Sequence, residues 1–216
     1  DTLSFINYPV RFDCRETLKA LEGTKIAVPE LDTYAYKLWD YWERNLDPDL
    51  FIDRTMKGQI AGKVILITGG TSGIGQATAL KLAAAGTAKA IVVCGRDQEK
   101  IDETMKLAKK QGVKIVAYQA DVADEAGCAE FVKSLNEKHG GVDILVNNAG
   151  RSIRRALESS YDRFHDFSRT MDVNYFGALR TTMGLLPKMV DKRQGQVINI
   201  SSIGVLTNAP RFSAYV

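Results

Sequence analysis

The stretch Lys63–Gly75, KVILITGGTSGIG, constrains this chain more than any other. Val64, Ile65, Leu66 and Ile67 are apolar without alternation, the pattern of a parallel strand covered on both faces. Glycines at 69, 70, 73 and 75 follow, and Gln76 to Ala85 reads as helix. In a strand, glycine turn and helix of this kind the backbone turns tightly and approaches a ligand with no Cβ in the way. The helix then offers unpaired N–H groups and a positive dipole end to an anion. A pyrophosphate is the natural guest.

Downstream, strand and helix alternate: strand 63–68, helix 75–85, strand 89–94, helix 97–111, strand 113–119, helix 124–138 and strand 142–147. Asp97 and Asp124 stand where helices start, Gly86 and Gly112 where they stop. The apolar-rich segment 161–190 predicts one long helix, or a helix with a break, that Pro187 kinks or ends. Residues 196–200 are the fifth strand. The spacing predicts an α/β chain whose parallel sheet carries helices on both faces.

Residues 1–57 differ in composition, with both tryptophans and nine of the eighteen aromatics. Leu31, Tyr34, Ala35, Leu38, Tyr41 and Trp42 fall at helical spacing between Pro29-Glu30 and Asp47-Pro48, which predicts an amphipathic helix with an aromatic packing face. Charge divides as well. Residues 1–57 hold 8 Lys+Arg against 11 Asp+Glu, and the remainder holds 21 against 15. That mild basic excess suits phosphorylated ligands and falls short of a nucleic-acid footprint. No run is long and apolar enough for a membrane span, and the N-terminus lacks the order of a signal peptide. Cys14, Cys94 and Cys128 are too scattered for a disulfide framework, and His139 and His165 lack metal-ligand spacing. A cytoplasmic protein without a metal site is the expectation, with Cys94 a small apolar filler.

In a sheet of this kind ligands sit at the carboxyl ends of the strands. Those ends read TGGTSGIG after the first strand, Gly95-Arg96 after the second, Asp121-Val122 after the third, Asn147 to Gly150 after the fourth and Ser201-Ser202 after the fifth. Arg96 stands where an acidic residue would accept hydrogen bonds from a ribose 2′-OH. A guanidinium there matches a 2′-phosphate instead, which favours NADPH over NADH.

Four ordered motifs, TGGTSGIG, NNAG at 147–150, Asn174 in VNYFG, and Ser202 with Tyr215 thirteen positions on, resemble the short-chain dehydrogenase/reductases over residues 62–216. The resemblance implies a Rossmann-type doubly wound parallel sheet, here cut after its fifth strand, behind a short mainly helical N-terminal segment. It implies a cofactor site of Gly69, Thr71, Ser72, Gly73, Ile74, Gly75, Arg96, Asp121, Val122, Asn148, Ala149 and Gly150, with Asn147 also lining it. By the same resemblance Tyr215 donates a proton to the developing alkoxide, Ser202 holds the carbonyl oxygen and Asn174 anchors a water in a proton relay. A free tyrosine has a pKa of about 10 and needs a nearby cation to lower it. In the family that cation is a lysine four residues later, at position 219, so the sequence is expected to be part of a longer chain.

More specific stretches, RSIRR after NNAG and DRFHDF at 162–167, resemble the bacterial fatty acyl-CoA reductases of that superfamily, and YAYKLWDYWERNLDPD resembles the segment joining two reductase domains in its larger members. This divides the chain into 1–58, the end of an upstream domain, and 59–216, the reductase domain without its C-terminal part. It implies reduction of a fatty acyl-CoA to the aldehyde, or on to alcohol, in a homo-oligomer linked to an upstream reductase domain. Arg151, Arg154 and Arg155 are candidates for meeting CoA phosphates. Reduction of a ketone or 3-ketoacyl thioester uses the same three catalytic residues and stays open, as does an inert nucleotide-binding module.

Overall fold

The structure is a computed structural model that describes residues 13–27, 29–45, 53–207 and 210–215. The chain divides into two units, Asp1–Ile52 and Asp53–Val216. In the first, helix α1 (Arg15–Leu21) begins beside an Asp13–Arg15 ion pair of 2.6 Å. The aromatic run does not turn helical at Leu31. Leu31–Thr33 form a short 3-10 turn, and α2 (Ala35–Asn45) begins after it. The cause is local: the Thr33 hydroxyl and amide donate to the Glu30 carbonyl at 2.6 and 3.0 Å, the acceptor that the Tyr34 amide needs to continue an α-helix. On α2 the Trp39 and Trp42 ring centroids are 5.4 Å apart, and the Trp39 indole donates to Glu43 at 2.6 Å. The Asp47-Pro48 stop lies outside the described residues.

The second unit opens with α3 (Met56–Ile60), whose first turn is capped by the Thr55 hydroxyl accepting from the Gly58 amide. Then come β1 (Val64–Thr68), α4 (Gly73–Ala85), β2 (Ala90–Gly95), α5 (Gln98–Lys110), β3 (Val116–Gln119), α6 (Glu125–His139) and β4 (Ile144–Asn147). Helix α7 (Phe164–Met171), a π-helical turn (Asp172–Gly177) and α8 (Ala178–Asp191) follow in one continuous rod, ahead of β5 (Gln196–Asn199) and the short α9 (Gly204–Thr207). The strands lie in the order β3-β2-β1-β4-β5, all parallel. This is the parallel α/β sheet that the alternation predicts, of the Rossmann type that the resemblance implies.

Every residue of β1 is buried, and its successive side chains serve opposite faces. Val64 and Leu66 pack with Val132 and Leu135 of α6 and Leu185 and Met189 of α8, whereas Ile65 and Ile67 pack with Ile60, Ala79 of α4 and Ala108 of α5. The expected helix signals sit at the ends: Asp97 accepts from the amides of Glu99 and Lys100, Asp124 accepts from that of Gly127, and Gly86 closes α4 at φ +73°. Some boundaries differ from expectation. β3 starts at 116 rather than 113, because the amides of Gly112 and Val113 fold back onto the carbonyls of Lys109 and Ala108. Pro187 does not end α8, which runs one turn further, to Asp191. The carbonyl that its missing N–H leaves without that partner is that of Met183, an exposed residue.

At the amino end of the sheet the Asp143 carboxylate accepts from the Val64 amide at 2.8 Å and pairs with Lys192 at 3.0 Å. Burial alone would raise this carboxyl, but the Val64 N–H and Lys192 outweigh it and hold it below the usual carboxylate range. No helix among the described residues is long and apolar enough to cross a membrane.

Candidate active site

At the other end of the sheet, the carboxyl ends of β1 and β4 are tied through one buried threonine. Thr68 Oγ1 accepts from the amides of Asn148 and Ala149, each at 3.0 Å, and the Asn148 side-chain amide returns to the carbonyls of Thr68 and Gly69 at 3.0 and 3.2 Å. These bonds draw the NNAG loop against the glycine turn. Gly69 sits at φ +63°, and a Cβ there would lie 2.8 Å from the Ala149 Cα; at Gly75 it would lie 2.4 Å from the Asn148 amide nitrogen. Only glycine fits either place. Gly73, at φ +54°, opens α4 with nothing near its missing Cβ, so the first turn of that helix faces open space. This cradle suits a diphosphate, which takes hydrogen bonds from backbone amides.

A cavity of about 440 Å³ extends from the cradle across the ends of β1, β2, β3 and β4. Gly69, Thr71, Ser72, Ile74, Arg96, Asp121, Val122, Asn148, Ala149 and Gly150, all expected of a cofactor site, line it. Gly73 and Gly75, also expected of that site, are not among the residues lining the cavity. Asn147 does not line it: buried in the strand, its side chain donates to Thr182 and Asn199 at 3.0 and 2.9 Å and accepts from the Thr181 hydroxyl at 2.9 Å. It ties β4 to β5 and α8 because side chains alternate along a strand, and Asn147 falls on the inward side. Cys94 touches the cavity but is 1% exposed, and burial pushes its thiol up to about 12, the state of a filler and not of a nucleophile.

At the rim, Arg96 Nη1 lies 3.9 Å from Asp121 Oδ2, and Gln119 donates to the Arg96 carbonyl at 3.2 Å. Lys100 lines the same cavity from the first turn of α5, and the sequence reading missed it. The local sequence hid it: a lysine in the first turn of a helix calls for a nearby negative charge, and Asp97 and Glu99 beside it already supply one. Thr104, fully buried, bonds to the Thr71 carbonyl at 3.1 Å and fixes α5 against this loop.

The three residues expected to act on a carbonyl arrive on separate segments. Asn174 lies in the π-helical turn, a geometry that accompanies functional sites. Its Oδ1 accepts from the Arg151 amide at 2.7 Å and its Nδ2 donates to the Arg151 carbonyl at 2.9 Å, clamping the backbone just after NNAG. Ser202 follows β5, and its hydroxyl accepts from the Gly204 amide at 3.1 Å. Tyr215 lies in a turn closed by its own amide on the Phe212 carbonyl at 2.8 Å. Among the described residues no hydrogen bond joins the side chains of Asn174, Ser202 and Tyr215. Of the arginine loop, Arg151 lines the cavity, Arg154 is exposed, and Arg155 is engaged by the buried carboxylate of Asp166 at 3.5 Å. No group of three or more His, Cys, Asp or Glu among the described residues converges to hold a metal.

A family model described as short chain dehydrogenase matches residues 63–216. A fatty acyl-CoA reductase of Acinetobacter baylyi is 46% identical over 165 residues, which is 76% of this chain and 55% of that protein. A fatty acyl-CoA reductase of Mycobacterium tuberculosis is 38% identical over 174 residues, 79% of this chain and 58% of that protein. The chain thus spans little more than half the length of these relatives. Among solved structures, an NAD+-bound xylitol dehydrogenase superposes with a TM-score of 0.65 at 30% identity, over 73% of this chain and 59% of that one.

Proposed function

The chain belongs to the short chain dehydrogenase family, and from that premise we propose that it is the nucleotide-binding and hydride-transfer part of a cytoplasmic, NADPH-dependent fatty acyl-CoA reductase. The observation that carries the proposal is the cradle of Gly69, Gly73 and the first turn of α4, opening into a cavity with Arg96 and Lys100 at its rim. The cradle would take the diphosphate, Asp121 and Val122 the adenine side, and Asn148 to Gly150 the nicotinamide side. Arg96 and Lys100 would share a 2′-phosphate, whose doubled charge neutral groups would not match. When bound, the reduced nicotinamide supplies a hydride.

This chain's own residues do the rest. Ser202 holds the carbonyl oxygen of the thioester, Tyr215 gives its proton to the oxyanion as charge develops there, and Asn174, held on Arg151, anchors the water that resupplies the proton. The hemithioacetal then loses its C–S bond. Its hydroxyl proton leaves, the carbonyl re-forms as an aldehyde, and the sulfur departs as a thiolate that takes up a proton. One thioester, one NADPH and one proton become one aldehyde, one CoA thiol and one NADP+. The two reductases at 46% and 38% identity support a fatty acyl-CoA as substrate, and Arg151 at the cavity and the exposed Arg154 are cations that CoA phosphates would meet. The separate unit Asp1–Ile52 supports linkage to an upstream reductase domain.

The test is NADPH oxidation with palmitoyl-CoA by the full-length protein, following free thiol and aldehyde or alcohol together. Thiol release stoichiometric with NADPH, and lost in Tyr215→Phe, is the expected result. Reduction of a 3-ketoacyl thioester with no thiol released would replace the substrate assignment, and nucleotide binding without turnover of either would leave a binding module.

A further inference from the structure

The loop between NNAG and α7 is held at both ends. Near its start, Asn174 brackets the Arg151 backbone. Further along, Arg155 reaches Asp166, a carboxylate only 4% exposed. A buried carboxylate has to be compensated. Asp166 Oδ2 accepts from Arg163 Nε at 2.9 Å and lies 3.5 Å from Arg155 Nε, while Oδ1 faces His165 Nε2 at 3.3 Å and Arg163 Nη2 at 3.4 Å. Arg155 Nε is itself buried and has no hydrogen-bond partner among the described residues, so its attachment to Asp166 is an ion pair without a hydrogen bond. Arg163, His165 and Asp166 are the polar core of the DRFHDF motif, and Arg155 ends the RSIRR motif. The chemistry proposed above leaves both pairs unused.

What Arg155 carries gives them a role. Its backbone forms a parallel bridge with Phe212, and its carbonyl accepts from the Ser213 hydroxyl at 3.0 Å. Tyr215 hangs from the same turn, its amide on the Phe212 carbonyl and its ring centroid 6.1 Å from that of Phe212. Among the described residues, every polar tie between 210–215 and the rest of the chain runs to the loop at Arg155.

We propose that Asp166 and Arg155 form a strap, braced by Arg163, that holds the 210–215 segment on the NNAG loop and thereby sets the position of Tyr215. They are positioning residues: neither touches the nucleotide cavity. The catalytic half of this inference rests on the reading of Tyr215 as proton donor, whereas the strap itself does not. Proton delivery to an oxyanion tolerates little misplacement, so loosening the strap lowers turnover and leaves nucleotide binding alone.

The experiment compares Asp166→Asn, Ser213→Ala and Tyr215→Phe in the full-length protein. It reads kcat with palmitoyl-CoA, NADPH affinity by fluorescence titration, and hydrogen–deuterium exchange of residues 210–215. Asp166→Asn should lower kcat by about 10- to 100-fold, the scale of a misplaced reacting group, with NADPH Kd and binding stoichiometry unchanged and exchange at 210–215 raised. Ser213→Ala removes one bond and no charge, and should lower kcat about 3-fold with a smaller rise in exchange. It also decides the matter if the Asp166 variant does not fold. Wild-type kcat and exchange in Ser213→Ala and in any folded Asp166→Asn would overturn the strap, as would losses of kcat matched by equal losses of NADPH-binding stoichiometry. Tyr215→Phe at wild-type kcat would instead sink the proton-donor reading alone. Raised exchange in Asp166→Asn would then still establish the strap.

Discussion

The glycine cradle and the proposed catalytic trio are built in different ways. At the ends of β1 and β4, Thr68 and Asn148 knit two loops whose strands are already in register, Ile65 beside Ile144 and Ile67 beside Val146. Gly69 and Gly75 there let the two loops approach more closely than any Cβ would allow. Asn174, Ser202 and Tyr215 come from a π-turn, a strand end and a turn near the end of the sequence, and no side-chain hydrogen bond links them. The cradle is organised by sheet pairing and excluded volume, whereas of the three proposed catalytic residues only Asn174 is tied to a distant segment, by two bonds to Arg151, and Ser202 and Tyr215 sit in local turns. The first should be sensitive to added atoms and indifferent to lost side chains, and the second should behave the other way round.

The largest effect tests the trio. Tyr215→Phe removes one oxygen, and on the proposed chemistry it lowers kcat by about 100-fold or more while steady NADPH affinity shows the cradle untouched. Next comes an added atom in the cradle. Gly69→Ala forces a left-handed φ on a residue with a Cβ and drives it into Ala149, costing about 2 kcal/mol or more. Equilibrium titration should show NADPH Kd raised at least about 10-fold, with a lower melting temperature. A tight Kd in this variant would break the comparison.

The control lies at the opposite end of the sheet. Asp143→Ala leaves the Val64 amide without its acceptor and should cost about 1–3 kcal/mol in denaturant unfolding with NADPH Kd unchanged. Its pH dependence has a definite sign. Asp143 is held below the usual carboxylate range, so its contribution is complete above the unfolded value of about 4 and is lost as pH falls through the lower folded value. The gap in stability between wild type and variant should therefore narrow toward acid. The smallest effect is at the rim. Arg96 is 65% exposed in its side chain, and Arg96→Ala should weaken NADPH about 10-fold and leave NADH unchanged, as two parallel titrations would show. Equal weakening of both nucleotides would take the 2′-phosphate away from Arg96.

From the amino acids alone came the strand, glycine turn and helix of Lys63–Gly75, the parallel alternation behind it, the helix caps at Asp97 and Asp124, and most of the cavity lining. All of these are local. A strand covered on both faces, a glycine needed for positive φ and an aspartate bonded two or three residues ahead leave their mark within a few positions. Local competition also explains the Leu31 misreading, where the Thr33 hydroxyl takes the acceptor that a helix needs. Tertiary structure alone decided that Asn147 faces inward to Thr181, Thr182 and Asn199, and that Asp166 reaches through Arg155 to the Tyr215 turn. Those pairings join residues far apart in the chain, and periodicity carries no information about which distant partner a charge or amide will meet. That is set by sheet order and by the need to satisfy each polar group the core has buried.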